Sequence, residues 1–382
     1  MRTIVFPGQG SQAKGMGKSL FDDYPELVEK ADAILGYSIK ELCLNDPNNE
    51  LNNTEFTQPA LYVVNALSYY RMLEDNEKPD FLAGHSLGEF NALLAAECFD
   101  FEAGLKLVKK RGTLMSKAQD GAMAAILNSS KNDIERILKE NGLNNVDLAN
   151  YNTPSQIVIS GPIDDIAAAQ TLFQSGNVLY YPLNTSGAFH SRFMRPSEDK
   201  FKVYLKRFKL LAPQIPVISN VTARPYTEES LLLNLSSQIS STVKWCDSIQ
   251  YLLSENPGME FLEVGHGDAL TKLIETIKRQ SGEPSESHTG ELAGETFSTK
   301  ADTKQPVPDL LVNQLSDVEA LTDQKIDEWN AKYPIGTKIM SNTLDYGELE
   351  TRTEAIKLFA HRAAIYVKGY NGYFDLDEVS VV

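Results

Sequence analysis

Cysteine is scarce in this sequence: its 382 residues hold three, Cys43, Cys98 and Cys246, far apart and in no metal-ligand spacing. That excludes a disulfide framework and a cysteine-built metal site, and a reducing compartment is the simple expectation. Basic charge is short as well, with 36 lysines and arginines against 52 aspartates and glutamates and a formal net charge of −16. Nucleic acid is excluded as a partner on this ground, because phosphate binding needs a basic surface. An anionic small substrate is not, since one buried arginine can hold a carboxylate in an acidic protein. Long hydrophobic runs are missing too. The opening MRTIVFPGQG carries one arginine and the short run TIVF before Pro-Gly, too little for a secretory signal, whose apolar core needs about 7–15 residues. No stretch approaches the roughly 20 apolar residues of a membrane helix. A soluble, cytoplasmic protein without a membrane partner is the expectation.

What is present points to an α/β protein. Hydrophobic residues make up 42% of the chain, enough for a real core, and the length suggests two or three domains. Residues 3–6 (TIVF) read as a buried strand that ends at Pro7-Gly8. Residues 57–74 and 102–118 carry apolar side chains at helical spacing. Between them the short strand DFLA at 80–83 runs directly into GHSLGE and the apolar FNALLAAECF, in the order strand, tight turn, helix. From 122 the pattern changes to AMAAIL, an amphipathic KNDIERILKENG, the strands NVDLANYN and QIVISG, a helix opened by Pro162 and closed by Gly176, and a last strand NVLYYPL. This is βαββαβ, the ferredoxin-like order, expected as an insert over 123–186. The flanking stretches 1–122 and 187–280 supply the main domain, with further strands at IPVISNV and MEFLEVG. Residues 281–308 are rich in Ser, Thr, Glu and Pro with almost no large apolar side chains. Such a segment cannot bury enough surface to offset its ordering entropy, so a flexible linker is expected at 281–316. A small helix-plus-β module is expected at 317–382.

The strongest chemical signal is Gly84-His85-Ser86-Leu87-Gly88. G-x-S-x-G is a nucleophile elbow, in which a serine sits on a strained strand-to-helix turn and the helix N-terminus offers N–H groups to a developing oxyanion. A serine nucleophile needs a base, and the chain has five histidines. His288 falls in the linker and His361 in the tail. His85 flanks the serine on the turn and should point away from its hydroxyl. His190, in SGAFHS after the strand YYPL, suits a positioned base, with His266 in VGHGD as the rival. Arg111 lies on EAGLKLVKKRGTLM beside Lys109 and Lys110, which should be solvated. By itself Arg111 reads as another surface charge. The more interesting alternative is a guanidinium fork that holds a carboxylate.

The segments FPGQGSQ at 6–12, TQPAL at 57–61, GHSLGE at 84–89, KRG at 110–112, GAFHS at 187–191 and EVG-x-G at 263–267 occur together here. In this order and spacing they resemble the malonyl-CoA:acyl carrier protein transacylase family over about 1–280. AGHSLGEFNALLAAE and SGAFHSRFM are most similar to free-standing acyltransferases that serve polyketide synthases lacking their own acyltransferase domains. The resemblance implies an α/β-hydrolase-like large domain with a ferredoxin-like insert. It implies Ser86 as nucleophile, His190 as base, the backbone carbonyl of Gln238 as the orienting acceptor for that base, and the amides of Gln9 and Leu87 as oxyanion hole. It further implies that Arg111 binds the malonyl carboxylate, with Gln58, His85 and Asn152 lining the same cleft. The substrate would be malonyl-CoA and the acceptor the phosphopantetheine thiol of an acyl carrier protein, with no bound cofactor and no metal, in a monomer. His266 stands where the family usually has proline, which implies a looser loop. Two alternatives use the same residues differently: an acyl-thioester hydrolase on the same fold, and a non-catalytic adaptor whose tail docks a synthase.

Overall fold

A computed structural model describes residues 1–75, 78–174, 176–185, 187–281, 323–341, 348–358, 362–368, 373–376 and 379–382. The expected linker therefore lies almost wholly outside the described residues, as do His288 and His361. The chain divides into two compact units, 1–286 and 287–382.

The first unit is built on a four-stranded parallel sheet in the order β7-β2-β1-β8. β1 (Arg2–Phe6) is central and pairs with β2 (Phe81–Gly84) on one side and β8 (Glu260–Glu263) on the other, and β7 (Val217–Ile218) adds to β2. Alternate residues of β1 point to opposite faces. Ile4 and Phe6 enter the larger core with Leu82 and Phe90, whereas Val5 enters a second core with Ile218, Trp245 and Ile249. Because both faces are covered, the strand reads as a continuous apolar run, as TIVF does.

The larger core is closed by helices. α1 (Leu20–Asp23), α2 (Pro25–Leu35) and α3 (Ile39–Leu44) lead into the long α4 (Thr54–Asp75), which packs on α5 (Gly88–Ala95) and α6 (Phe101–Ser116). α5 is buried along its whole length, in keeping with a sequence that is apolar apart from Glu89 and Asn91. A second sheet follows, formed by β3 (Gly121–Leu127), β4 (Asp147–Thr153), β5 (Gln156–Pro162) and β6 (Leu179–Pro182) in the order β4-β5-β3-β6, all neighbours antiparallel. α7 (Lys131–Glu140) and α8 (Ile163–Leu172) pack their apolar residues, including Ile134, Leu138 and Ile166, against its Ile126, Ile157 and Ile159. The chain then returns through α9 (Arg195–Leu205), α10 (Glu228–Ser237), α11 (Trp245–Glu255) and α12 (Ala269–Gln280). α9 follows the left-handed His190 (φ 57°) and a short 3-10 turn at Arg192–Met194. α1–α3, α10 and α11 were not singled out from the sequence.

The second unit has a helical stretch at 323–332 and two three-stranded sheets. β9 (Lys338–Ser341) lies between β10 (Leu349–Glu350) and β14 (Val379–Val381). β12 (Arg362–Tyr366) lies between β11 (Ile356–Leu358) and β13 (Tyr373–Asp375). Ile339, Ile365, Val367 and Leu376 form its core, with Trp329 packed against them.

One close approach sets where the first turn of α5 lies. A Cβ on Gly88 would fall 2.0 Å from the Phe6 carbonyl oxygen of β1, and a Cβ on Gly84 would fall 2.0 Å from the Gly88 carbonyl carbon. Neither neighbour is a side chain that can swing away. Gly88→Ala is therefore expected to cost about 3 kcal/mol, as overpacking of a close-packed interior does. A lower urea midpoint with an unchanged slope would show it.

Candidate active site

The carboxyl ends of the parallel strands converge on one edge of the main sheet, the place where open α/β sheets put their sites. β1 delivers Gln9, β2 delivers Ser86, and β7 leads into Asn220. Ser86 occupies the turn between β2 and α5 with φ at +51°, a conformation that is strained for a side chain with a Cβ. The turn is pinned from several sides. The His85 amide donates to the Phe6 carbonyl at 3.0 Å. Asn220 accepts from the Ser86 amide at 2.8 Å and donates to the Gly84 carbonyl at 2.7 Å.

His190 meets this serine from a segment more than a hundred residues downstream. Its Nε2 lies 2.8 Å from Ser86 Oγ. Its Nδ1 lies 2.9 Å from the Gln238 carbonyl and 3.2 Å from that of Ser241. A carbonyl only accepts, so this network assigns the proton to Nδ1 and leaves Nε2 to accept from the serine hydroxyl. Burial and the nearby Arg111 push the His190 imidazole down to about 3, against the opposing pull of the two carbonyls. The ring is neutral at neutral pH, as a general base must be.

Arg111 is not a surface charge. It is 1% exposed, on the inward face of α6, and its Nη2 donates to Ser86 Oγ at 3.1 Å and to Gln238 Oε1 at 2.8 Å. Its Nε has no partner among the described residues. Burial lowers the guanidinium to about 10, opposed by Glu89, so it stays charged. The neighbouring lysines differ from the solvated expectation. Both are half-buried: Lys109 donates to the carbonyls of Ile34 and Leu35 at the end of α2, and Lys110 lies over the Tyr204 ring.

The other candidates separate into two groups. Among the hydrogen bonds of the described residues the amides of Gln9 and Leu87 have no acceptor, and Gly8 packs against the His85–Leu87 backbone, which brings the loop after β1 beside the elbow. His85 turns from Ser86 toward Asn152, whose Oδ1 lies 2.9 Å from its Nε2, and meets Trp245 edge-on. Burial lowers its pKa, with Asn152 opposing. Gln58 is buried on α4, donates to Met115 Sδ at 3.3 Å, and leaves its Oε1 unpaired; no hydrogen bond joins it to Ser86. His266 is partly buried on the loop after β8 and has no hydrogen bond to Ser86. Among the described residues no group of histidine, cysteine, aspartate or glutamate could hold a metal ion, and no helix is long and apolar enough to cross a membrane.

Sequence reasoning missed Asn220 and Glu89. Glu89 is fully buried and accepts from the Tyr226 hydroxyl at 2.7 Å, from the Asn220 amide at 2.9 Å and from Gln238 Nε2. One signal was available for Glu89, a lone carboxylate at the start of FNALLAA, a run with no other charged residue.

A hydroxyl bonded to a neutral imidazole, two free amides beside it and a buried cation within contact are an arrangement that can transfer an acyl group carrying a negative charge. Comparison with known proteins agrees. The family model described as acyl transferase domain matches residues 3–305. The polyketide biosynthesis malonyl CoA-acyl carrier protein transacylase PksC of Bacillus subtilis is 55% identical over 284 residues, covering 74% of this chain and 98% of that protein. A crystal structure of malonyl CoA-acyl carrier protein transacylase from Burkholderia pseudomallei is 60% identical with a TM-score of 0.73, over 75% of this chain and 99% of that one. A type II polyketide synthase acyl-carrier protein in complex with its malonyl-transacylase provides a further match, 32% identical with a TM-score of 0.69, over 73% of this chain and 93% of that one. The chain belongs to the acyl transferase domain family, within its malonyl CoA-acyl carrier protein transacylases.

Proposed function

We propose that this protein moves a malonyl group from malonyl-CoA to the phosphopantetheine thiol of an acyl carrier protein, by way of a malonyl ester on Ser86, and that it serves polyketide synthase carrier domains. The observation that carries the proposal is the buried Arg111 guanidinium donating to the Ser86 hydroxyl. A cation held there, with one N–H still unpaired, matches an acyl group whose far end is a carboxylate.

In the first half-reaction Ser86 Oγ attacks the thioester carbonyl as His190 Nε2 takes its proton. The Gln9 and Leu87 amides hold the oxyanion, a donor of this kind being worth roughly 2.7–4 kcal/mol. The carbon–sulfur bond breaks, coenzyme A leaves with the proton from His190, and the malonyl ester remains. In the second half the carrier thiol gives its proton to His190 and its sulfur attacks the ester. The serine leaves as the alkoxide and recovers the proton. The Gln238 and Ser241 carbonyls accept from Nδ1 throughout and stabilise the imidazolium. His85 and Asn152 form one wall of the cleft, and Gln58 on α4 meets Met115, four residues after Arg111 on α6.

The architecture fits an α/β-hydrolase-like core of residues 1–122 and 187–280, with a ferredoxin-like subdomain at 123–186 and a separate helix-plus-β module at 317–382. Three free, buried cysteines suit a cytoplasmic enzyme. Monomeric action without a bound cofactor completes the proposal. Hydrolysis fits less well, because water as acceptor gives no reason to keep a charged acyl-carboxylate site beside the serine.

Incubation with labelled malonyl-CoA is expected to label the enzyme, and added carrier protein to take the label over. Ser86→Ala should abolish the labelled ester and lower transfer by about four orders of magnitude. Label released mainly as free malonate, with the carrier left unlabelled, would favour the hydrolase. Arg111→Ala should lower malonyl kcat/KM by about 100-fold, the loss of a buried charge-assisted pair of roughly 2.7 kcal/mol. Acetyl transfer should change little or improve. An unchanged malonyl-to-acetyl preference would remove Arg111 from substrate recognition.

A further inference from the structure

Glu89 is a buried carboxylate that the transfer chemistry does not use. It sits three residues after the nucleophile in the first turn of α5, and four groups surround it. Its Oε1 takes the Tyr226 hydroxyl and the Asn220 amide, both from the segment after β7. Its Oε2 takes Nε2 of Gln238, from the short turn Gln238–Ser240. Arg111 of α6 is the cation opposite it. Arg111 and Tyr226 are the charged and titratable groups that face it from these elements, and Gln238 contributes a neutral amide.

The Gln238 side chain is held between two partners of opposite kind. Its Nε2 donates to Glu89 and, at 2.7 Å, to the Ser86 carbonyl. That leaves Oε1 facing Arg111, whose Nη2 donates to it at 2.8 Å. Three partners fix the direction of this amide: the Glu89 carboxylate and the Ser86 carbonyl, which can only accept, and the Arg111 guanidinium, which can only donate. With the amide reversed, two N–H groups would face the guanidinium and push it from its place.

We propose that Glu89 is a positioning residue for acyl selectivity: as a carboxylate it orients the Gln238 amide, and through it holds Arg111 where the malonyl carboxylate must bind. The inference rests on malonyl being the acyl group transferred. Glu89→Gln keeps the volume and the two partners at Oε1, since the Asn220 amide can only donate. Its new Nε2 would then oppose Gln238 Nε2, which the Ser86 carbonyl keeps turned that way, so the amide and the Arg111 it holds would be displaced. Protonation of Glu89 acts in the same direction, and burial pushes this carboxyl up to about 7 even though its donors and Arg111 pull it down.

The experiment compares kcat/KM for malonyl-CoA and acetyl-CoA in the intact chain, a ratio in which any loss shared by both substrates cancels. Glu89→Gln is expected to lower the malonyl-to-acetyl ratio about tenfold or more, mainly through malonyl KM, while acetyl transfer stays within about threefold. A merely structural role would lower both substrates together and leave the ratio alone, which overturns the proposal. A second measurement needs no change at Glu89. The wild-type ratio should rise with pH through about 7, as the carboxyl ionises. Tyr226→Phe removes one donor from the ionised form and should move that midpoint upward. A ratio flat from about pH 5.5 to 8.5 overturns the proposal, because the malonyl carboxylate itself is ionised across that range. Failure of the wild type to accept malonyl at all would instead defeat the proposed function.

Discussion

Burying a guanidinium is costly unless hydrogen bonds and a counter-charge offset the lost hydration, and the site is organised around that constraint. Arg111 is almost wholly removed from water, yet has only one strong neutral acceptor, the Gln238 amide, and the Ser86 hydroxyl. Among the described residues Glu89 forms no direct ion pair with Arg111 but supplies the opposing charge; the two act across the Gln238 side chain. The arrangement leaves the cation incompletely satisfied. An incoming carboxylate gains more from such a group than from one already locked in a bidentate pair, because less has to be broken before it binds.

Within the site the backbone is strained at two residues. Ser86 and His190 both have left-handed φ values, +51° and +57°. At Ser86 the strain comes from a turn compressed between β1 and α5, where glycine backbones nearly touch. At His190 it accompanies an amide bonded to the Ile239 carbonyl at 3.1 Å and a ring bonded to the carbonyls on either side. The segment 238–241 thus holds the base from three directions. That segment is in turn tied to the second sheet. Val243 pairs with the β4 backbone through two bonds of 2.9 Å, and Thr242 donates to the Leu148 carbonyl at 2.6 Å. The antiparallel sheet therefore contributes more than a wall to the cleft, since the carbonyls that orient His190 are anchored to it.

How much of this the sequence disclosed depends on whether a feature is local. The elbow was legible because its glycines, its serine and the flanking strand and helix are contiguous. The order of elements from 121 to 182 was legible for the same reason. His190 could be picked from five histidines by its setting, though the rivalry with His266 is resolved only by the 2.8 Å approach to Ser86. Arg111 was ambiguous because KKR reads as a solvated run, and the helical turn of about 100° per residue separates its members. It sends Arg111 inward while its neighbours go to the end of α2 and to Tyr204. The roles of Asn220 and Glu89 were illegible for a different reason, although the lone carboxylate of Glu89 itself stood out. Their roles lie in which donor meets which acceptor across segments over a hundred residues apart, and no spacing along the chain encodes that.

The proposed base, His190, and the proposed specificity group, Arg111, are not independent. Arg111 disfavours a second positive charge nearby and so helps keep His190 neutral, which a base needs before the serine attacks. A weakly basic imidazole is a poor partner for the proton once it arrives. Two elements restore the balance. The Gln238 and Ser241 carbonyls favour the imidazolium through Nδ1, and a bound acyl carboxylate would offset much of the Arg111 charge that opposes it. Basicity at His190 would then rise when the correct acyl group occupies the site and stay low when an uncharged one does. Selection of the acyl group and activation of the serine in this way share a single electrostatic cause, the charge state of the region between Glu89, Arg111 and His190.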